Sequence, residues 1–125
     1  MEDISQFFAP IDIEGTIEFP ENTLGISIRK YLLGKPFPEL KGMHLAIIGI
    51  EEDRRAVNNA GCGEAADAVR PYLYNLFKGS YKPRIADLGN IKQGHAVKDS
   101  YFALTSACHE LIKNKIIGEF TGQFD

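Results

Sequence analysis

The residues best equipped for chemistry gather in one stretch, Glu51 to Glu64, directly after the apolar run Leu45 to Ile50. Arg54, Arg55, Asn58 and Asn59 offer guanidinium and amide groups that bind a carboxylate through paired hydrogen bonds. The competing explanation is that the asparagines take turn conformations and the arginines pair with Glu51, Glu52 or Asp53; the sequence leaves both open. Cys62, between Gly61 and Gly63, stands near a helix start, where a thiolate is favoured, but it has no histidine nearby in sequence, and a small residue filling a tight loop accounts for it. His44, His95 and His109 never fall at a metal-ligand spacing, and there is no Cys-x-x-Cys, so they read as structural or solvent-facing. Gly49, Gly61 and Gly63 have the wrong spacing for a dinucleotide fingerprint, three acids follow where a pyrophosphate would lie, and no Walker lysine is present.

These residues must be positioned by a strand. An uninterrupted apolar run that ends in a polar loop and leads into a helical pattern reads as a buried parallel strand entering a βα unit. In open α/β sheets, ligands bind beside the loops that leave the carboxyl ends of strands, so residues 51–64 border any site. Ala65 to Lys78 reads as a helix burying Val69, Leu73, Leu76 and Phe77, split or kinked at Pro71 and capped by Gly79. A second strand covers Arg84 to Ile91, with Asp87 in a capping or loop-bracing role. From Ala96 a second helix carries Val97, Tyr101, Leu104, Cys108, Leu111 and Ile112 on one stripe, with Glu110 off it and a stop at Asn114. A third strand begins at Ile116.

Strand, helix, strand, helix, strand with short connections makes a βαβαβ unit over residues 43–125, with a small parallel sheet and right-handed crossovers. Residues 1–42 read as an irregular arm with four prolines, packed through Phe7, Phe8, Phe19, Tyr31 and Phe37. Within the arm, Ile11 and Ile13 suggest a short edge piece, and Thr23 to Leu33 permits a short helix. The third strand ends the chain with an open parallel edge, which calls for a partner: a second copy of the chain (a homo-oligomer) or a missing carboxyl-terminal continuation.

Composition bounds the function class. With 125 residues, 44% hydrophobic and 25% charged, the chain is of ordinary size and composition for one domain with one core. A net charge of -3 without a basic track argues against nucleic acid. No apolar run approaches the roughly 20 residues of a membrane span, and an acidic Met1-Glu2-Asp3 start differs from a signal peptide. A cytoplasmic location with Cys62 and Cys108 as free thiols is the expectation.

Several separated motifs occur in the order of one family. Ile47-Ile48-Gly49-Ile50-Glu51-Glu52-Asp53-Arg54, Ala56-Val57-Asn58-Asn59, Ala68-Val69-Arg70, Ile85-Ala86-Asp87-Leu88-Gly89-Asn90-Ile91 and Val97-Lys98-Asp99-Ser100-Tyr101 resemble the amino-terminal part of the arginase/agmatinase/formiminoglutamase (ureohydrolase) family, closest to its formiminoglutamase-like branch. The resemblance implies a three-layer α/β/α fold, here a partial arginase-like one. For complete members it also implies a binuclear manganese site whose bridging hydroxide hydrolyses a guanidino or formimino group. Family members bind metal through a Gly-Gly-x-His-Asp segment, an Asp-x-His-x-Asp segment and an Asp-x-Asp pair. This sequence contains none of them, so no catalytic residue, metal ligand or cofactor is assigned to it, and neither Gln123 nor Asp125 is taken as a ligand. Ala66 also stands where a proline commonly opens the helix. Arg54, Asn58 and Asn59 match positions at the mouth of the family's site and are the substrate-binding candidates. The expectation is a truncated ureohydrolase-like protein, inactive alone; the alternative is a non-catalytic binding or oligomerisation module.

Overall fold

A computed structural model describes residues 4–11, 21–51, 65–77, 79, 84–114 and 116–121, the last five as backbone only. A 3-10 turn (Ile4–Phe7) leads into β1 (Phe8–Ala9), followed by α1 (Leu24–Ser27), β2 (Arg29–Lys30), β3 (Leu45–Ile50), α2 (Ala65–Tyr74), β4 (Ile85–Ile91), α3 (Val97–Lys113) and β5 (Ile117–Thr121). The class is mixed α/β. β3 lies between β4 and β5 and is parallel to both, so the βαβαβ unit is present with its first strand in the middle.

The sheet is larger than the three strands the sequence suggests, because the arm joins it. β1 pairs antiparallel with the carboxyl half of β4, and β2 pairs parallel with its amino half, so both share the β4 edge away from β3. Two-residue strands carry little sequence signal, since alternation needs a longer run to be visible. Ile11 bridges Leu32, which makes part of the expected edge piece real; residues 12–20, with Ile13 and Phe19, lie outside the described residues. The helix permitted over Thr23 to Leu33 shrinks to the single turn of α1. At the opposite edge, β5 pairs only with β3 among the described residues.

A chain that leaves β3 for β4 and then recrosses β3 to reach β5 places its two crossover helices on opposite faces when both crossovers share a hand. Two separate cores agree. On one face Ala103, Ala107 and Leu111 of α3 meet Ala46 and Ile48 of β3, Ala86 and Leu88 of β4, and Phe8. On the other, Tyr74 of α2 and Ile28 after α1 meet Ile47 and Ile85. The facing alanines let α3 lie close to the strands, which is why its buried face is small residues with Ser100, not the large stripe that periodicity suggests. Leu111 is buried as expected, whereas Ile112 is exposed and Glu110, expected elsewhere, is buried.

Helix α2 departs further. Periodicity places Val69, Leu73, Leu76 and Phe77 inward; the structure buries Ala66, Arg70 and Tyr74, leaves Leu73 half-buried, and exposes Val69, Tyr72, Leu76 and Phe77, the last to 82%. The helix runs through Pro71 as one piece and ends at Tyr74. Gly79 is left-handed at φ 63°, but as part of a later turn and not as the helix cap. Among the described residues no helix is long and apolar enough to cross a membrane.

Candidate functional site

Every residue of β4 is buried, including the two polar ones, Asp87 and Asn90. Adjacent alternation would aim them at opposite faces. They share a face because β4 carries one extra residue: Ile47 pairs with Asp87 but Gly49 pairs with Asn90. Gly89 sits in that bulge at φ 84°, a conformation glycine adopts without strain, and a β-carbon there would run into the carbonyl of Ala9. Across the pair, a β-carbon on Gly49 would overlap the Asn90 side chain and Ala66. Gly49 thus makes room for the Asn90 side chain beneath α2, and Gly89 supplies the bulge that brings Asn90 onto one face with Asp87.

Arg70 is the hub, at 2% exposure. Its Nε and Nη2 donate to Asp87 Oδ2 at 2.9 Å and Oδ1 at 3.0 Å. Nη1 donates to Asp67 Oδ1 at 2.9 Å and Asn90 Oδ1 at 2.6 Å, and Nη2 also reaches the Gly89 carbonyl at 3.0 Å. These five bonds match the five donors of a guanidinium. Asp87 is equally saturated: each oxygen takes one Arg70 bond, Oδ2 also accepts the Tyr74 hydroxyl at 2.5 Å, and Oδ1 the Gly89 amide at 3.1 Å, which fills the roughly four lone-pair sites of a carboxylate. Burial works against the Arg70 charge, but the hydrogen bonds and charge of Asp87 outweigh it and raise its pKa. Burial, then the Asp87 charge, pushes the Tyr74 hydroxyl far above its ordinary range, so it remains a donor.

Toward the carboxyl end of the sheet the cluster becomes wetter. The Asn90 amide donates to Asp67 Oδ1 at 3.1 Å and also hydrogen-bonds Glu51, whose carboxyl is pushed up by burial and held down in part by that bond. Glu51 precedes and Asp67 follows the segment 52–64, so one side chain clasps two residues that flank that segment in sequence. Arg54, Asn58, Asn59, Arg55 and Cys62 lie in that segment, outside the described residues. Its two flanking residues stand at the carboxyl edge, where strand order reverses from β4 to β5 around β3, the position at which α/β sheets bind ligands.

Comparison with known proteins found no matching family model, curated protein or solved structure.

The implied manganese does not fit the described residues. Asp87 has no lone pair to spare, Asp67 Oδ1 already accepts two bonds, and among the described residues no three His, Cys, Asp or Glu converge. His44 Nδ1 accepts the Arg84 amide at 3.0 Å, and His95 and His109 are exposed. Burial raises the Cys108 thiol above its usual pKa, which suppresses the thiolate. At the amino end of the sheet, a cavity of about 440 Å³ borders His109, Glu110, Ile112 and Lys113. There Glu110 Oε2 is buried without a hydrogen bond among the described residues, with Lys113 3.9 Å from Oε1. Arg70, Tyr74 and Asn90 were not singled out by sequence. The available signal was polar residues inside a strand whose every other position is apolar or glycine.

Proposed function

We propose that this chain is the amino-terminal part of a three-layer, ureohydrolase-like α/β/α fold, related to manganese-dependent hydrolases of guanidino and formimino groups and nearest the formiminoglutamase-like branch. It forms one wall of a site and does not catalyse hydrolysis by itself. The observation that supports this reading is the polar cluster at the reversal of strand order, where Asn90 meets Glu51 and Asp67, the residues that flank in sequence the stretch carrying Arg54, Asn58 and Asn59. The inactivity rests on the missing metal motifs and on carboxylates committed to Arg70. The purified chain, supplied with manganese and N-formimino-glutamate, arginine or agmatine, is expected to give no product; turnover at enzyme-like rates contradicts the proposal.

The chain acts in the cytoplasm without nucleic acid, and it associates with itself or with a carboxyl-terminal continuation. Among the described residues β5 pairs only with β3, and this edge and the outward apolar residues of α2 support that association, because large contiguous apolar surface is uncommon on monomers. Light scattering at high concentration is expected to show a species larger than the monomer; a clean monomer contradicts self-association. The alternative, a binding module without catalysis, is favoured by the same cluster, whose hydrogen bonds are completed by side chains and backbone alone. Acidic amino acids would then raise the melting temperature, and Arg54→Ala would abolish the shift.

A further inference from the structure

We propose that the cleft between β2 and residues 34–39 binds a small organic anion, a carboxylate or phosphate carried on a compact apolar body. The cleft, about 510 Å³, falls within the range of small-molecule pockets. It lies beside β2, which pairs with the β4 edge away from β3.

Its charges oppose those of the whole protein. The chain carries -3 overall, yet Arg29, Lys30 and Lys35 line this cleft against one carboxylate, Glu39. Arg29 and Lys35 are exposed and have no ion pair or side-chain hydrogen bond among the described residues. The Lys30 ammonium is already taken up by the carbonyls of Gly25 and Ile28 and lies 5.2 Å from the centre of the Tyr74 ring, which leaves Arg29 and Lys35 as the cations that meet a ligand. A concave lining with an excess of positive charge raises the local concentration of anions more than scattered surface charges do.

The opposite wall is apolar and stiff. Prolines fix the backbone on both sides of Phe37, and the Phe37 ring is wedged between Phe8 at 5.4 Å and Tyr31 at 5.1 Å, centroid to centroid. A wall already ordered costs a ligand little entropy to use. An inorganic anion would engage the cations alone, whereas an anion with an attached ring or short chain engages both.

The test is an amide-resolved NMR titration with phenyl phosphate, benzoate, inorganic phosphate and benzyl alcohol. Saturable shifts at Arg29, Lys35, Phe37 and Glu39 are expected for phenyl phosphate and benzoate, more weakly for inorganic phosphate and for benzyl alcohol. Replacing both exposed cations (Arg29→Ala with Lys35→Ala) should weaken the organic anions about tenfold, as the sum of two exposed charge contacts. Glu39→Gln, which removes the like charge, should tighten them; unchanged amide spectra elsewhere verify that each variant is folded. Absence of saturable shifts, or shifts that survive the double substitution, overturns the site. Equal affinity for phenyl phosphate and inorganic phosphate overturns the role of the apolar wall and with it the organic ligand.

Discussion

Helices α2 and α3 cover the same sheet by opposite means. α3 turns Ala103, Ala107 and Leu111 onto the facing alanines of β3 and β4, so its hold is close apolar packing. α2 turns Ala66, Arg70 and Tyr74 inward and leaves Val69, Tyr72, Leu76 and Phe77 outside, so its hold is a saturated ionic cluster. The contrast separates what stabilises from what specifies. Apolar packing tolerates adjustment in register, whereas a guanidinium whose five donors each have one acceptor has a single satisfying position. Such a cluster adds little net stability over well-packed hydrophobes, but breaking it leaves charge buried. In this chain the specified helix is the one that follows the candidate loop, and the cluster ends in the Asn90 clasp on Glu51 and Asp67.

The contrast gives a ranked set of expectations. Asp87→Ala strips Arg70 of its two strongest bonds in the dry interior, and urea denaturation should show a loss of about 3–5 kcal/mol. On the other face, Ala107→Leu forces a larger side chain between α3 and the strands and should cost about 1–3 kcal/mol, while leaving the Arg70 cluster intact. Tyr74→Phe removes one of the four bonds to Asp87 without emptying the site, and should cost about 1 kcal/mol. The smallest effect belongs to the Asn90 clasp. Because burial raises the Glu51 carboxyl, the folded state holds that proton more tightly than the unfolded chain, so this group's stabilising contribution is full at acid pH and is lost as pH rises through its folded pKa. Glu51→Gln should therefore stabilise slightly near neutrality, by less than about 0.5 kcal/mol for a partly exposed group. The gain should vanish toward pH 4, as followed by denaturation at several pH values.

The sequence announces the apolar-held half of the molecule well. The runs Leu45 to Ile50 and Ile85 to Ile91 could only be buried strands, and α3 begins and ends within a residue of where its pattern does, closed by Asn114. What it hid follows from the ionic half. Hydrophobic periodicity assumes that the apolar side of a helix is its inner side, and in α2 a buried arginine reverses that assignment. In sequence Asp87 has the look of a capping or loop-bracing residue, because an isolated carboxylate after an apolar run resembles a cap; only the bulge at Gly89, a property of pairing with β3, brings it onto one face with Asn90. The two-residue strands β1 and β2 are fixed by their contacts with β4 and carry no pattern of their own. The residues proposed to meet a ligand, Arg54, Asn58 and Asn59, were legible only by type and place after β3.

A double-substitution cycle on Arg70 and Asp87 tests the central claim, that a mutually saturated ion pair fixes α2 on the sheet. Arg70→Met and Asp87→Leu should each destabilise strongly, and the double variant should be more stable than their sum predicts by about 2 kcal/mol or more, since removing both partners leaves neither charge stranded. Additivity within about 0.5 kcal/mol would contradict the account, because it would mean that the two side chains do not depend on each other.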